Sequence, residues 1–349
     1  MPTPCATREI MKKSKCLLFR KRNGLCSTSP EGQDGSMIPM VSRTIRVNTI
    51  CFISIIHIRP NGGRCTGDMP CPDFFRLDGM QILTVCPQRM LPQGLEFHAG
   101  NNVMMLTGDY DRQTHRFTKQ AVRAVDYGTD FYAPQTVETP DKRRVMIAWM
   151  QNWDTSHARP QNMHLFGEMT LPRELSVRNG RVVQNPVREL AAYRKDPAVY
   201  RNIHVGQETS LPGVNGRAID LTVTVRPADT ERVFRYFRIR VAKSDKYETC
   251  IRYKPETGTI RVDRTRSGFP YDIVNIRDFL IDPHSGEVKM RIILDRHSLE
   301  LFVGDGEQTA TFMIHTPQNA DGVSFEANGA DAVVDIEKYE LYFGQAEGV

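Results

Sequence analysis

The residues that could do chemistry gather in three short runs of the 349-residue chain: Cys71-Pro72-Asp73-Phe74-Phe75, then Asp126-Tyr127-Gly128-Thr129-Asp130-Phe131-Tyr132-Ala133-Pro134-Gln135-Thr136, then Gly167-Glu168-Met169-Thr170-Leu171-Pro172-Arg173-Glu174-Leu175. Their carboxylates, among them Asp73, Asp126, Asp130 and Glu168, are groups of the kind that move protons. The two tryptophans, Trp149 and Trp153, add flat rings that can stack on a sugar face. Trp149 lies inside the apolar run Met146-Ile147-Ala148-Trp149-Met150 and reads as core, whereas Trp153, between Asn152 and Asp154, reads as the rim of a site. Glu168 and Arg173 could line a pocket, but Arg173 followed by Glu174 reads rather as a structural ion pair. His98, His157 and His164 have no ligand spacing to Cys or carboxylates, so neither a metal nor a cofactor is expected.

The elements that must position these residues are strands. From about residue 67 the chain alternates apolar and polar residues in short stretches, broken by Gly, Asp, Asn and Pro clusters. Gln81–Val85, Val103–Leu106 and Val145–Trp149 are examples in the first half. In the second half Ile219, Leu221, Val223 and Val225 keep a period of two, followed by Phe237, Ile239 and Val241. One hairpin faces Ile251 and Tyr253 against Ile260 and Val262 across Glu256-Thr257-Gly258. Another runs from Leu299, Leu301 and Val303 through Gly304-Asp305-Gly306 into Thr309, Thr311 and Met313. Only Val187 to Tyr193 suits a turn or two of helix. The body is therefore all-β, and near residues 176–200, after the Asn179-Gly180 turn, short irregular strands give way to the clean alternation of a two-sheet sandwich.

Composition separates the N-terminal stretch from the rest. The net charge of +5 divides unevenly: residues 1–66 hold 11 Lys and Arg against 3 Asp and Glu, and the remainder 35 against 38. Cys5, Cys16, Cys26, Cys51 and Cys65 crowd into the same stretch, leaving Cys71, Cys86 and Cys250 for the body. A disulfide scaffold would not place its cysteines where no structural period holds, so all eight read as reduced and the compartment as cytoplasmic. The longest apolar run, Ile50 to Ile58, is about half of a bilayer span, so no membrane partner is expected. Arg43, Arg46, Arg59 and Arg64 lack interleaved aromatics and a fold signal, so no nucleic-acid partner is expected either.

The three runs, with Met146–Met150 between the second and third, resemble glycoside hydrolase family 32, and most of all its bacterial sucrose-6-phosphate hydrolases and β-fructofuranosidases. The resemblance covers about residues 67–345, including Leu294-Asp295-Arg296 and Leu299-Glu300-Leu301-Phe302-Val303. It implies a five-bladed β-propeller followed by a β-sandwich. Here that becomes an unpatterned segment at 1–66, an incomplete propeller at 67–180, a linker at 181–199 and a sandwich at 200–349. An open arc of blades with exposed strand edges and apolar surface is expected. The substrates implied are sucrose, sucrose 6-phosphate or short fructosides, and the reaction is retaining hydrolysis, which needs two carboxyl groups about 5–5.5 Å apart. Asp73, Asp126, Thr129, Asp130, Tyr132 and Trp153 are the substrate-binding candidates that the resemblance supplies; turn and core roles suit the middle four equally well.

The catalytic residues of the family are missing. Its nucleophile lies in Asn-Asp-Pro-Asn-Gly, a second Asp in Arg-Asp-Pro, and its acid in Trp-Glu-Cys-Pro-Asp; none of the three occurs here. Pro70 occupies the acid position before Cys71-Pro72-Asp73, and proline offers neither a proton nor a backbone donor. Residues 1–66 suggest why. If each codon is rebuilt from the third base of one codon and the first two of the next, Asp34 through Val41 yields, with permitted wobble bases, Trp-Ile-Asn-Asp-Pro-Asn-Gly. The same offset turns Val47 to Ile58 into Gly-Glu-Tyr-His-Leu-Phe-Tyr-Gln-Tyr-His-Pro-Tyr. The expectation is a frameshifted N-terminus joined near Gly67 to in-frame sequence, with the Arg-Asp-Pro segment skipped, and a chain without hydrolytic activity.

Overall fold

The computed structural model describes residues 69–151, 153–156, 167–269, 273–281 and 286–343. The segment 1–66 with its expected frame, the run Ile50–Ile58, the four N-terminal arginines, His157 and His164 lie outside the described residues.

Two four-stranded antiparallel meanders come first. β1 (Asp73–Leu77), β2 (Met80–Val85), β3 (Met104–Asp111) and β4 (Arg116–Ala124) follow one another in space as in sequence. Asp78 and Gly79, both at positive φ, make the tight turn between β1 and β2, where a left-handed pair matches strand twist. Its inner strands β2 and β3 bury residues on both faces. Leu83, Val85, Met104 and Leu106 pack beneath Met90 and Phe97 of the long β2–β3 connection, while Phe75, Leu77, Ile82 and Met105 meet the second meander.

That second meander is β5 (Tyr132–Glu138), β6 (Arg144–Trp149), β7 (Arg173–Arg178) and β8 (Arg181–Pro186). Phe131, Tyr132, Met146, Ala148 and Leu175 supply its half of the shared core. Asn179 and Gly180 form a turn of left-handed residues, and β8 pairs with β7 from Arg178↔Arg181 to Arg173↔Pro186. This corrects the expected linker at 181–199. Its first part is a blade strand and its last part begins the sandwich, so the connection shrinks to Val187 and the 3-10 turn Arg188–Tyr193. Among the described residues the propeller portion is these two blades.

The sandwich follows with eleven strands: β9 (Arg194–Val205), β10 (Ile219–Pro227), β11 (Tyr236–Lys243), β12 (Thr249–Lys254), β13 (Thr259–Asp263), β14 (Ile276–Leu280), β15 (Val288–Asp295), β16 (Ser298–Val303), β17 (Gln308–Met313), β18 (Gly322–Asn328) and β19 (Ala332–Leu341). One sheet runs β17-β16-β15-β10-β19-β9 and the other β14-β13-β12-β11-β18. Ile219, Leu221, Val223 and Val225 point into one core with Phe237, Ile239, Val241, Ile260 and Val262, all fully buried. The β12–β13 hairpin has the expected register, Ile251↔Val262 and Tyr253↔Ile260, closed by Gly258 at φ 57°.

The β16–β17 hairpin differs from the simple alternation. Leu299 pairs with Phe312 and Leu301 with Ala310, so Thr309, Thr311 and Met313 stand beside Phe302, Glu300 and Ser298 on the opposite face. Every residue of both strands is buried, because one face meets the sandwich core and the other meets the second blade. Two glycines permit that contact. A Cβ on Gly306 would lie 2.0 Å from the Gln184 carbonyl oxygen, and one on Gly128 2.0 Å from that of Thr311.

Candidate active site

The six candidate residues fall into separate places. Asp126, Thr129 and Asp130 lie on the connection between β4 and β5, pressed against β17. Asp126 Oδ1 accepts the N–H groups of Gly128 and Thr311, each at 2.8 Å, and its Oδ2 accepts Arg173 Nη1 at 2.9 Å and Thr311 Oγ1 at 2.7 Å. Asp130 Oδ1 accepts Thr155 Oγ1 at 3.1 Å; its Oδ2 accepts Thr129 Oγ1 at 2.9 Å, the Met313 N–H at 3.0 Å and Arg264 Nη1. Each carboxylate oxygen offers about two lone-pair sites, so two donors on each oxygen fill Asp126, and Asp130, with four donors, is fully buried, which leaves neither open to a sugar hydroxyl. The two carboxylates join the blades to the sandwich.

Arg173 lies at the centre of this seam, with its side chain fully buried. Besides Asp126 it binds Glu300 through Nη2 at 2.7 Å and Nε at 3.1 Å, and Thr311 Oγ1 at 2.6 Å. Its guanidinium is also sandwiched between the rings of Phe131 and Phe302, 4.9 and 5.1 Å away. The expected Arg173–Glu174 pair is corrected here. Successive residues of a strand point to opposite faces, so Glu174 turns outward to Arg143 and Arg188, each at 2.8 Å.

Asp73 begins β1, an end strand of its sheet. One oxygen, Oδ2, accepts the Thr136 N–H at 2.7 Å and Thr136 Oγ1 at 2.6 Å across the gap to β5. Burial raises its carboxyl above the ordinary range, opposed by the Thr136 hydrogen bonds and Arg144. Pro70, three residues earlier, accepts the Cys86 N–H at 3.2 Å through its carbonyl and presents only its ring. Tyr132 is buried between the blades, where its hydroxyl donates to the Cys86 carbonyl at 2.8 Å.

Trp153 is 52% exposed and meets the half-buried Trp149 edge-on, with ring centroids 5.4 Å apart. Near Trp149, Glu168 has its carboxyl pushed up to about 7 by burial and by the negative charge of Asp295, on the sandwich. Among the described residues, no three His, Cys, Asp or Glu side chains gather as metal ligands. Sequence reasoning missed the sandwich contributions to the seam: Glu300, Thr309, Thr311 and Arg264. A signal existed in Glu300, a charge set between Leu299 and Leu301 in an otherwise apolar strand.

Comparison with known proteins decides the lineage. Residues 55–186 match the N-terminal domain of glycosyl hydrolases family 32, and residues 189–342 match that family's C-terminal domain. The chain belongs to glycosyl hydrolase family 32. The boundary between the two matches coincides with the end of β8 and the short turn after it. Among curated relatives, the family 32 chain is 28% identical to sucrose-6-phosphate hydrolase of Staphylococcus xylosus, over 78% of this chain and 54% of the relative. It is 32% identical to raffinose invertase of Escherichia coli, over 76% and 53%. It thus spans about half the length of the curated relatives it matches. In structure it is similar to a family 32 β-fructofuranosidase of Bombyx mori (25% identity, TM-score 0.60, 78% of this chain and 54% of that one). The exo-inulinase of Aspergillus awamori shares the fold at 21% identity and a TM-score of 0.67, over 79% and 57%.

Proposed function

We propose that this protein is by lineage a β-fructofuranosidase of sucrose catabolism, a cytoplasmic enzyme type acting on sucrose, sucrose 6-phosphate or short fructosides, and that the 349-residue polypeptide does not itself turn them over. The family membership of both domains supports the lineage. The observation that carries the second part is Pro70, a ring with its carbonyl tied to Cys86 where the family has its proton donor. Without a nucleophile and an acid in register, the barrier reduction for retaining hydrolysis is lost. The shifted frame of residues 1–66 accounts for the missing nucleophile block. Asp73, with one oxygen tied to Thr136, and Trp153 at an exposed rim are the residues left to meet a sugar.

The test is release of fructose from sucrose, sucrose 6-phosphate and raffinose by the purified chain. No turnover above blank is expected, and none after the frame of residues 1–66 alone is repaired, because the acid is still missing. Turnover by the unrepaired chain that disappears in Asp73→Asn would overturn this reading and make Asp73 a catalytic carboxylate. Binding of fructosides without turnover, lost in Trp153→Ala, would instead favour a carbohydrate-binding module.

A further inference from the structure

The first blade carries two thiols in contact at one end. Cys71 precedes β1 in left-handed backbone, φ 53°, and is exposed; Cys86 follows β2 and is fully buried. Several bonds hold them together. The Cys86 N–H donates to the Pro70 carbonyl at 3.2 Å, and the Tyr132 hydroxyl donates to the Cys86 carbonyl at 2.8 Å. The Cys86 S–H reaches the Cys71 carbonyl oxygen at 3.9 Å, which sets the two thiol-bearing residues side by side. Hydrogen bonding from the neighbouring Cys86 side chain lowers the Cys71 thiol to about 7, whereas burial pushes Cys86 well above its ordinary value. Cys250, in the sandwich, is raised to about 11 by burial. Only the thiolate is nucleophilic, so the exposed member of the pair is the reactive one.

We propose that Cys71 and Cys86 form a thiol–disulfide exchange site that accepts small disulfides of the glutathione class. The Cys71 thiolate attacks one sulfur of the small disulfide, forming a Cys71 mixed disulfide and expelling one small thiolate. Cys86 then loses its proton and attacks the Cys71 sulfur, forming the Cys71–Cys86 bond and expelling the second thiolate. Two electrons pass from the protein thiols to the small disulfide, and the two protons leave on the released thiols. Because Cys86 is buried and weakly ionised, the second step is the slower, and the mixed disulfide accumulates first. The exchange chemistry uses neither Asp73 nor Trp153 nor the seam, although Pro70 and Tyr132 hold Cys86 in place.

The experiment treats the reduced full-length chain with oxidised glutathione, traps remaining thiols by alkylation and maps tryptic peptides. All forms carry Cys65→Ser, because Cys65 and Cys71 share the peptide 65–76. The expected order is a glutathione adduct on peptide 65–76, then its linkage to peptide 77–89 with loss of the adduct. Cys86→Ser should stop at the adduct, and Cys71→Ser should leave peptide 77–89 unmodified. Alkylation of Cys71 should rise with a midpoint near pH 7, well below that of Cys250. Absence of the linked peptide in the otherwise unmutated pair would overturn the proposal even if a variant misfolds, as would a Cys71 midpoint at the ordinary thiol value.

Discussion

The deepest positions of the sandwich are apolar: Leu221, Val223, Ile239 and Val262 are fully buried against one another across the two sheets. The most deeply buried large side chain of the second blade is Arg173, countered by Asp126 from its own side and Glu300 from the sandwich. Burying such charges costs several kcal/mol per ion, offset only while every partner stays in place. Among the described residues the blades are small, with core clusters of twelve and six buried residues, against a sandwich cluster of 34 that takes in Tyr127 from the β4–β5 connection. The difference teaches that the sandwich is held by area removed from water, whereas the blades depend on a polar contact that the sandwich completes.

Both tryptophans lie in the blade portion, so their fluorescence reports on the blades, while far-ultraviolet circular dichroism is dominated by the sandwich. Arg173→Ala is expected to have the largest effect, about 3–5 kcal/mol on the fluorescence transition in urea, because it strands two buried carboxylates. The dichroism transition should remain near its original midpoint. If both fall together, the two regions unfold as one and the comparison fails.

Leu301→Ala removes a fully buried side chain and should cost about 2–5 kcal/mol in the dichroism transition. Fluorescence should follow it, since β16 carries Glu300 on its other face. Gly128→Ala should cost about 1–3 kcal/mol, read by fluorescence alone, because its methyl group would enter the Thr311 carbonyl.

Glu168→Gln probes the seam by pH. The Glu168 carboxyl is raised in the folded chain from 4.5 to about 7, so the proton favours the fold. Its contribution is complete below pH 4.5 and lost as pH rises through 7. Wild type should therefore lose thermal midpoint relative to Glu168→Gln across that window; parallel curves would show that neither burial nor the Asp295 charge raises this carboxyl in the folded chain. Trp153→Ala should change stability by less than about 0.5 kcal/mol, since the ring is largely exposed, while dimming the emission.

The sandwich was the more legible region because a strand with one buried face states its register in its own alternation, as Ile219 to Val225 and the Ile251–Val262 hairpin do. The β7–β8 turn was legible in Asn179-Gly180, yet the strand beyond it read as linker. Arg181–Pro186 mixes polar and apolar residues because it packs partly on the sandwich, and that hides the period of two. The candidate site was legible as a set of runs but not as a geometry. Asp126 and Asp130 carried a family pattern, but their sandwich partners Thr311, Met313 and Arg264 lie more than 130 residues away, on or beside strands whose outer faces look like solvated ones.

By itself the sequence determined an all-β chain, its main turns, the lineage of its motifs and the absence of the nucleophile and acid stretches, since each of these is written in local order or residue identity. Tertiary structure alone decided that Arg173 pairs with Asp126 and Glu300 rather than Glu174, that Thr309 and Thr311 face a blade rather than water, and that Cys71 meets Cys86. The physical reason is that periodicity tells which side chains share a face of a strand, whereas what that face touches depends on chain segments brought together only by folding.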